Sequence, residues 1–118
     1  MDKETLEYIK NLLRKGTTTW KGRTECINRS RYKSVNKKGN MVWTRDCDIC
    51  GQAYFIQDGF LEVDHIVPVG ENEKLIDWIN ALYCGQDNLQ AVCIDCHDRK
   101  TALDNARMSF NRKKRIGL

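Results

Sequence analysis

The sequence predicts a small α+β domain, and three observations carry that reading. Apolar residues recur at helical spacing near both ends, alternate through the middle, and flank two C-x-x-C pairs whose four thiols suit a single Zn²⁺. With 118 residues, 41% of them apolar and 31% charged, the chain fits one domain with little core to spare. This composition excludes wholesale disorder. No apolar run approaches the ~20 residues that span a bilayer, and the acidic start Met1-Asp2-Lys3-Glu4 lacks a signal-peptide pattern. No membrane association and a cytoplasmic location are therefore expected.

Each element follows from a local pattern. Residues 2–15 place Leu6, Ile9, Leu12 and Leu13 on one helical stripe, with Gly16 as a stop. Residues 17–43 are polar and basic, with room for a short helix over residues 24–32. Trp20, Tyr32 and Trp43 serve there either as stacking surfaces for bases or as anchors of this arm on the core. Residues 52–67 alternate around Phe55, Ile56, Phe60, Leu61 and Val63 and predict hairpin-like strands turning at Asp58-Gly59. A helix follows over residues 72–83, with Asn72 as cap and Leu75, Ile76, Ile79, Leu82 and Tyr83 on one face. Residues 89–94 read as a returning strand. Ala102, Leu103, Ala106 and Phe110 then mark a last helix that starts at Asp95 or Cys96.

Charge is strongly segregated. Residues 10–45 hold eleven Lys/Arg against Glu25 alone, residues 46–98 hold eleven Asp/Glu against Lys74 alone, and residues 99–118 hold seven Lys/Arg against Asp104 alone. Basic flanks around an acidic centre fit a polyanion gripped by the flanks, with the central carboxylates free for another task. Solvated surface is the plainer account of the same flanks.

The cysteines are more specific. Cys47-x-x-Cys50 and Cys93-x-x-Cys96 form the paired knuckles of a structural Cys₄ zinc site, with two redox motifs as the alternative. Cys26 and Cys84 lack a partner at such spacing and read as small buried residues. Both histidines flank the knuckles: His65 in Val63-Asp64-His65-Ile66-Val67-Pro68, and His97 directly after Cys96. Asp64 and His65, being consecutive, share a site only at a strand end or bend. His97 falls at a helix start, where the dipole disfavours the imidazolium and leaves a neutral ring suited to a metal.

Taken together, C-x-x-C, D-H-I-x-P, Asn88-Leu89-Gln90, C-x-x-C-H and Lys100-Thr101 resemble the HNH endonuclease family, in its small zinc-containing phage and bacterial form, over about residues 43–105. The resemblance implies a ββα-metal (His-Me finger) core, preceded by an N-terminal helix and basic arm over residues 1–42 and followed by a basic helical tail over residues 106–118. The long segment between His65 and Asn88 departs from the family's shorter loop. The resemblance further implies that Asp64 and His97 hold one divalent ion, Mg²⁺ or Mn²⁺ first and Zn²⁺ or Ni²⁺ next. His65 would be the general base, and Asn88 would hold the His65 loop by hydrogen bonds. The implied activity is hydrolysis of DNA phosphodiesters to 5′-phosphate and 3′-hydroxyl ends, in an enzyme of phage origin acting beside a packaging terminase or as a homing or restriction-like nuclease. A zinc-stabilised DNA-binding module or terminase adaptor without catalysis is the rival. Lys21, Arg23, Arg29, Arg31 and Lys33, with Arg99, Lys100, Arg112, Lys113 and Lys114, are candidate contacts to double-stranded DNA. The motifs serve equally a monomer that nicks and a dimer that cuts both strands.

Overall fold

The computed structural model describes residues 1–70, 72 and 74–115, with side-chain surroundings up to Phe110. Helix α1 (Lys3–Gly16) opens on Asp2, whose Oδ1 accepts the Thr5 N–H at 2.7 Å, and closes with Arg14 and Lys15 in its last turn, as the helix dipole favours. Helix α2 (Lys21–Asn28) leads into β1 (Tyr32–Val35) and β2 (Met41–Asp46). After the first knuckle come β3 (Ala53–Phe55), β4 (Leu61–His65), α3 (Leu75–Leu82), β5 (Leu89–Cys93) and α4 (Ile94–Arg115). The mixed helix and antiparallel-strand class is the one expected.

Two sheets result, β1-β2-β3 and β4-β5, all antiparallel. The hairpin expected over residues 52–67 does not form. A 3₁₀ turn (Ile56–Asp58) and Gly59, at φ +72°, swing the chain between sheets, so that β3 pairs with β2 while β4 pairs with β5. The short helix expected over residues 24–32 ends at Asn28, because Tyr32 joins β1 opposite Thr44. Asn72 does not cap α3: the helix starts after Lys74 with no side-chain cap, and the Asn72 amide donates to the Val69 carbonyl instead. Of the stripe marking α4, Leu103 and Phe110 are exposed, so helix propensity and the knuckle at its start, rather than a covered face, define that helix.

The core gathers Cys26 and Ile27 of α2, Leu61 of β4, Leu89, Ala91 and Val92 of β5, and Cys47, Cys93 and Cys96 of the knuckles. Cys26 is fully buried, as its sequence setting implies, and Cys84 packs against the same cluster. Trp78 and Leu82 of α3 are buried apart from it, with Lys10 and Arg14 of α1 stacked over the Trp78 ring and the Tyr83 hydroxyl donating to the Leu13 carbonyl at 2.5 Å.

One buried charge fastens these parts. Arg45, only 2% exposed, donates to the Ile27 and Cys26 carbonyls at the end of α2 and grips both Asp48 oxygens at 2.9 and 3.1 Å. Asp48 in turn accepts the Ala91 N–H at 2.8 Å, tying the first knuckle to β5. Burial pushes the Asp48 carboxyl up, but the hydrogen bonds from Arg45 and Ala91 outweigh it and hold the group below the usual carboxylate range. Arg45→Met should therefore destabilise the zinc-loaded protein by about 3–5 kcal/mol in urea unfolding, the cost of stranding a paired buried charge. A carboxyl depressed in the fold stabilises above its unfolded pKa of about 4, and that stability is lost as pH falls through the lower folded value. Asp48→Asn should accordingly flatten the acid limb of the stability curve below about pH 4.

Candidate metal centres and active site

Two side-chain clusters meet at the β5–α4 junction. In the first, Cys47 ends β2's run, Cys50 sits in a turn closed by the Gly51 N–H on the Cys47 carbonyl at 2.9 Å, Cys93 ends β5, and Cys96 lies in the first turn of α4. Gly51 takes φ +77°, a left-handed conformation that a side chain would strain. The four sulfurs all lie within 4.8 Å of one another, with Cys50 and Cys93 at 4.0 Å and every thiol free. A disulfide needs about 2.05 Å. Four thiolates about a tetrahedral ion with Zn–S of 2.3 Å stand roughly 3.8 Å apart, so the cluster suits zinc.

Its electrostatics agree. Burial pushes the Cys47 thiol up, yet backbone N–H groups of Cys50, Cys93 and Ile49 bring it down to about 6. Burial and the neighbouring sulfurs push Cys96 up to about 12, because a further negative charge in this group is opposed by those already present. A divalent cation at the centre removes that opposition and lets all four ionise.

The second cluster lies along β4. Glu62 and Asp64, two apart on the strand, both face α4. His97 Nδ1 stands 3.0 Å from Glu62 Oε2, and its Nε2 stands 3.9 Å from Asp64 Oδ1. Glu62 thus lies against the Nδ1 side of the ring while Nε2 looks toward Asp64, which places a carboxylate where one can orient a metal-binding imidazole. Asp64 Oδ2 is buried without a hydrogen-bond partner and has only the Lys100 ammonium, 3.0 Å away, as an ion pair. With Oδ2 taken by Lys100, Asp64 Oδ1 and the His97 Nε2 facing it are an oxygen and nitrogen donor pair that suits a divalent ion. Burial pushes Lys100 down, but Asp104 and Asp64 together raise it above the ordinary lysine range.

His65, the last residue of β4, turns the other way. Its Nε2 is 2.8 Å from the Leu82 carbonyl at the end of α3. A carbonyl only accepts, so Nε2 carries the proton and the neutral ring keeps its lone pair on Nδ1. Asn88 clasps the turn after His65: Val67 N–H donates to its Oδ1 at 2.8 Å, its Nδ2 donates to the Val67 carbonyl at 3.1 Å, and the Ile66 N–H donates to its backbone carbonyl at 3.0 Å. The fold therefore brings Asp64 and His97 together, and holds His65 and Asn88 on the adjoining strand end.

Residues 47–103 match the family model for HNH endonuclease, just under half of the chain. This segment is an HNH endonuclease domain. No curated protein and no solved structure matches the chain. All four knuckle cysteines, Asp64, His65, Asn88 and His97 fall inside the HNH segment, whereas α1, α2 and β1 lie outside it.

The candidate DNA contacts sort differently. Arg29, although exposed, is engaged by the protein itself, donating to Gln86 and to the Leu89 carbonyl, with Asp48 at 3.7 Å. Lys100 is held between Asp64 and Asp104, and Arg99 lies back along α4 toward the Asp95 carbonyl and Cys96. Lys21 is exposed and Arg23 half-buried, while Arg31 and Lys33 lie over the Trp43 ring. The side chains of Arg112, Lys113 and Lys114 lie outside the described residues. Trp20 is an anchor, edge-on to Tyr83 at 5.1 Å between centroids.

Two participants were not singled out from sequence. Glu62 was legible in strand alternation, as the residue two before Asp64 on the same face. The Leu82 carbonyl was not, because a backbone group carries no sequence signature. Stripping zinc should unfold the junction, since structural zinc contributes an apparent ~10–16 kcal/mol in small zinc peptides. Cys47→Ala is expected to lose bound zinc and the near-UV circular dichroism of the packed aromatics, with metal content measured on the same sample.

Proposed function

We propose that the chain is a metal-dependent endonuclease that hydrolyses phosphodiester bonds of double-stranded DNA. The observation that carries this is the approach of Asp64 Oδ1 to His97 Nε2, 3.9 Å apart, one residue from an imidazole fixed with its lone pair on Nδ1. A divalent ion held by Asp64 and His97, Mg²⁺ or Mn²⁺ by the hard oxygen character of the site, supplies Lewis-acid stabilisation of charge on the phosphoryl group and the leaving 3′-oxygen. Glu62 keeps His97 aimed. Leu82 and Asn88 hold the His65 ring and the turn behind it, so Nδ1 can take a proton from water as the water oxygen bonds to phosphorus and the P–O3′ bond breaks. An imidazole suits this task because its pKa lies close to working pH. A phage origin and a place beside a packaging terminase extend the proposal on the motif set alone.

One observation favours a second reading, a zinc-stabilised DNA-binding module without catalysis: the Lys100 ammonium already neutralises Asp64. The two readings separate on metal affinity. In the nuclease, Lys100→Met removes a competing cation and tightens Mn²⁺ binding by calorimetry, whereas a pure binder shows no Mn²⁺ uptake with either residue.

Incubated with supercoiled plasmid, the zinc-loaded protein should nick it when Mg²⁺ or Mn²⁺ is added. His65→Ala should slow nicking by about 10²–10⁴-fold with zinc content unchanged, the range for loss of a general base. Cleavage that survives His65→Ala at the full rate would remove the base from the mechanism.

A further inference from the structure

Outside the HNH segment, the chain between Glu25 and Asp46 carries six Lys/Arg and no carboxylate. Two of the six, Arg29 and Arg45, are held by hydrogen bonds to the protein's own carbonyls. The other four stay on the β1–β2 hairpin, with Lys37 and Lys38 in its turn, Lys33 in its first strand and Arg31 just before that strand. Register places Lys33 directly opposite Trp43 and Val35 opposite Met41. Side chains alternate along strands, so these residues share one face with Arg31. That face is open: Val35, Met41 and Trp43 are 60%, 57% and 41% exposed. The nearest acid on β2, Asp46, belongs to the other face and accepts the Tyr32 hydroxyl at 2.5 Å.

The Arg31 guanidinium sits 3.8 Å from the Trp43 ring centroid and the Lys33 ammonium 4.9 Å from it. An indole attracts both cations through its quadrupole, but it cannot cancel their repulsion of each other. Among the described residues neither cation has a carboxylate partner. An anion between them would supply what the protein omits.

We infer that the β1–β2 hairpin is a second DNA grip, separate from the Asp64–His97 centre, in which Trp43 sets Arg31 and Lys33 as a paired clasp on the phosphate backbone of duplex DNA. The inference rests on DNA being the substrate, as proposed above. Duplex rather than single-stranded DNA follows from the ring itself, since Arg31 already occupies a face on which an unpaired base would stack. The clasp contributes affinity and register, not the chemical step.

The test is fluorescence anisotropy of a labelled duplex with the zinc-loaded full chain and no other divalent ion, so binding is read without cleavage. Absence of plasmid nicking would then leave this result standing, and failure here would leave nicking standing. Each phosphate contact contributes about 0.9 to the slope of log K against log salt. Arg31→Ala/Lys33→Ala is expected to lower that slope by about 2. Trp43→Leu should lower it by at least about 1 with zinc content and melting unchanged, and Trp43→Phe should restore it, because a phenyl ring still holds cations. Lys3→Ala/Lys15→Ala removes the same charge from α1 and should leave the slope near that of the parent. An unchanged slope in Arg31→Ala/Lys33→Ala would overturn the inference, as would an equal loss in the α1 control. Preferential binding of a single strand, abolished by Trp43→Leu, would also overturn it by making the ring a stacking platform.

Discussion

Four sulfurs from this molecule's two halves converge within 4.8 Å of one another, a cluster suited to zinc. Two come from the turn after β2 and two from the junction of β5 and α4, so a single cation among them would fix the β1–β2–β3 sheet against the β4–β5 pair. A core of small residues, with Ala91, Val92 and Cys26 among its most buried members, offers too little apolar area to do this alone. The Arg45–Asp48 pair works at the same seam. It joins the end of α2 to the first knuckle and through Asp48 to β5, so the metal cluster and the buried charge reinforce one junction from two sides.

The geometry of the candidate site inherits that junction. Once Cys93 and Cys96 fix where β5 stops and α4 starts, His97 is carried one residue past the cluster onto the face that meets β4. Register does the rest: Asp64 opposite Gln90 and His65 opposite Leu89 set the height of the strand against the helix. The inserted helix α3 then takes on a role beyond covering the core, since its last carbonyl selects the His65 tautomer. Helix α1 braces α3 through Tyr83 and Trp78, so a segment outside the HNH domain supports the placement of a group inside it. Charge is distributed to match, with the acidic centre around the candidate metal sites and a cationic hairpin whose Trp43 face carries no carboxylate.

Much of this was legible in the sequence because it depends on local spacing. Two C-x-x-C pairs specify four thiols at chelating reach, wherever the chain runs between them. The apolar stripe of residues 2–15 and the Gly16 stop specify α1 almost to the residue, because a helix of good formers with a cap is a local object. Asp64, His65, Asn88 and His97 were picked out by motif order, which survives the insertion of α3. By contrast, the turn at Asp58-Gly59 is present but joins different sheets, because pairing partners are chosen by distant strands.

The sequence by itself determined the α+β class, the zinc knuckles, the candidate catalytic residues and the segregation of charge, all properties of residue type and near-neighbour spacing. Only tertiary structure decided which cations remain free. Arg29, Arg31 and Lys33 look alike in the chain, yet Arg29 is spent on the Leu89 carbonyl while Arg31 and Lys33 converge on Trp43. Tertiary structure likewise decided that Glu62 backs His97 and that Leu82 holds His65. The reason is the same in each case: the partner is remote in sequence, and for Leu82 it is a backbone atom that every residue possesses.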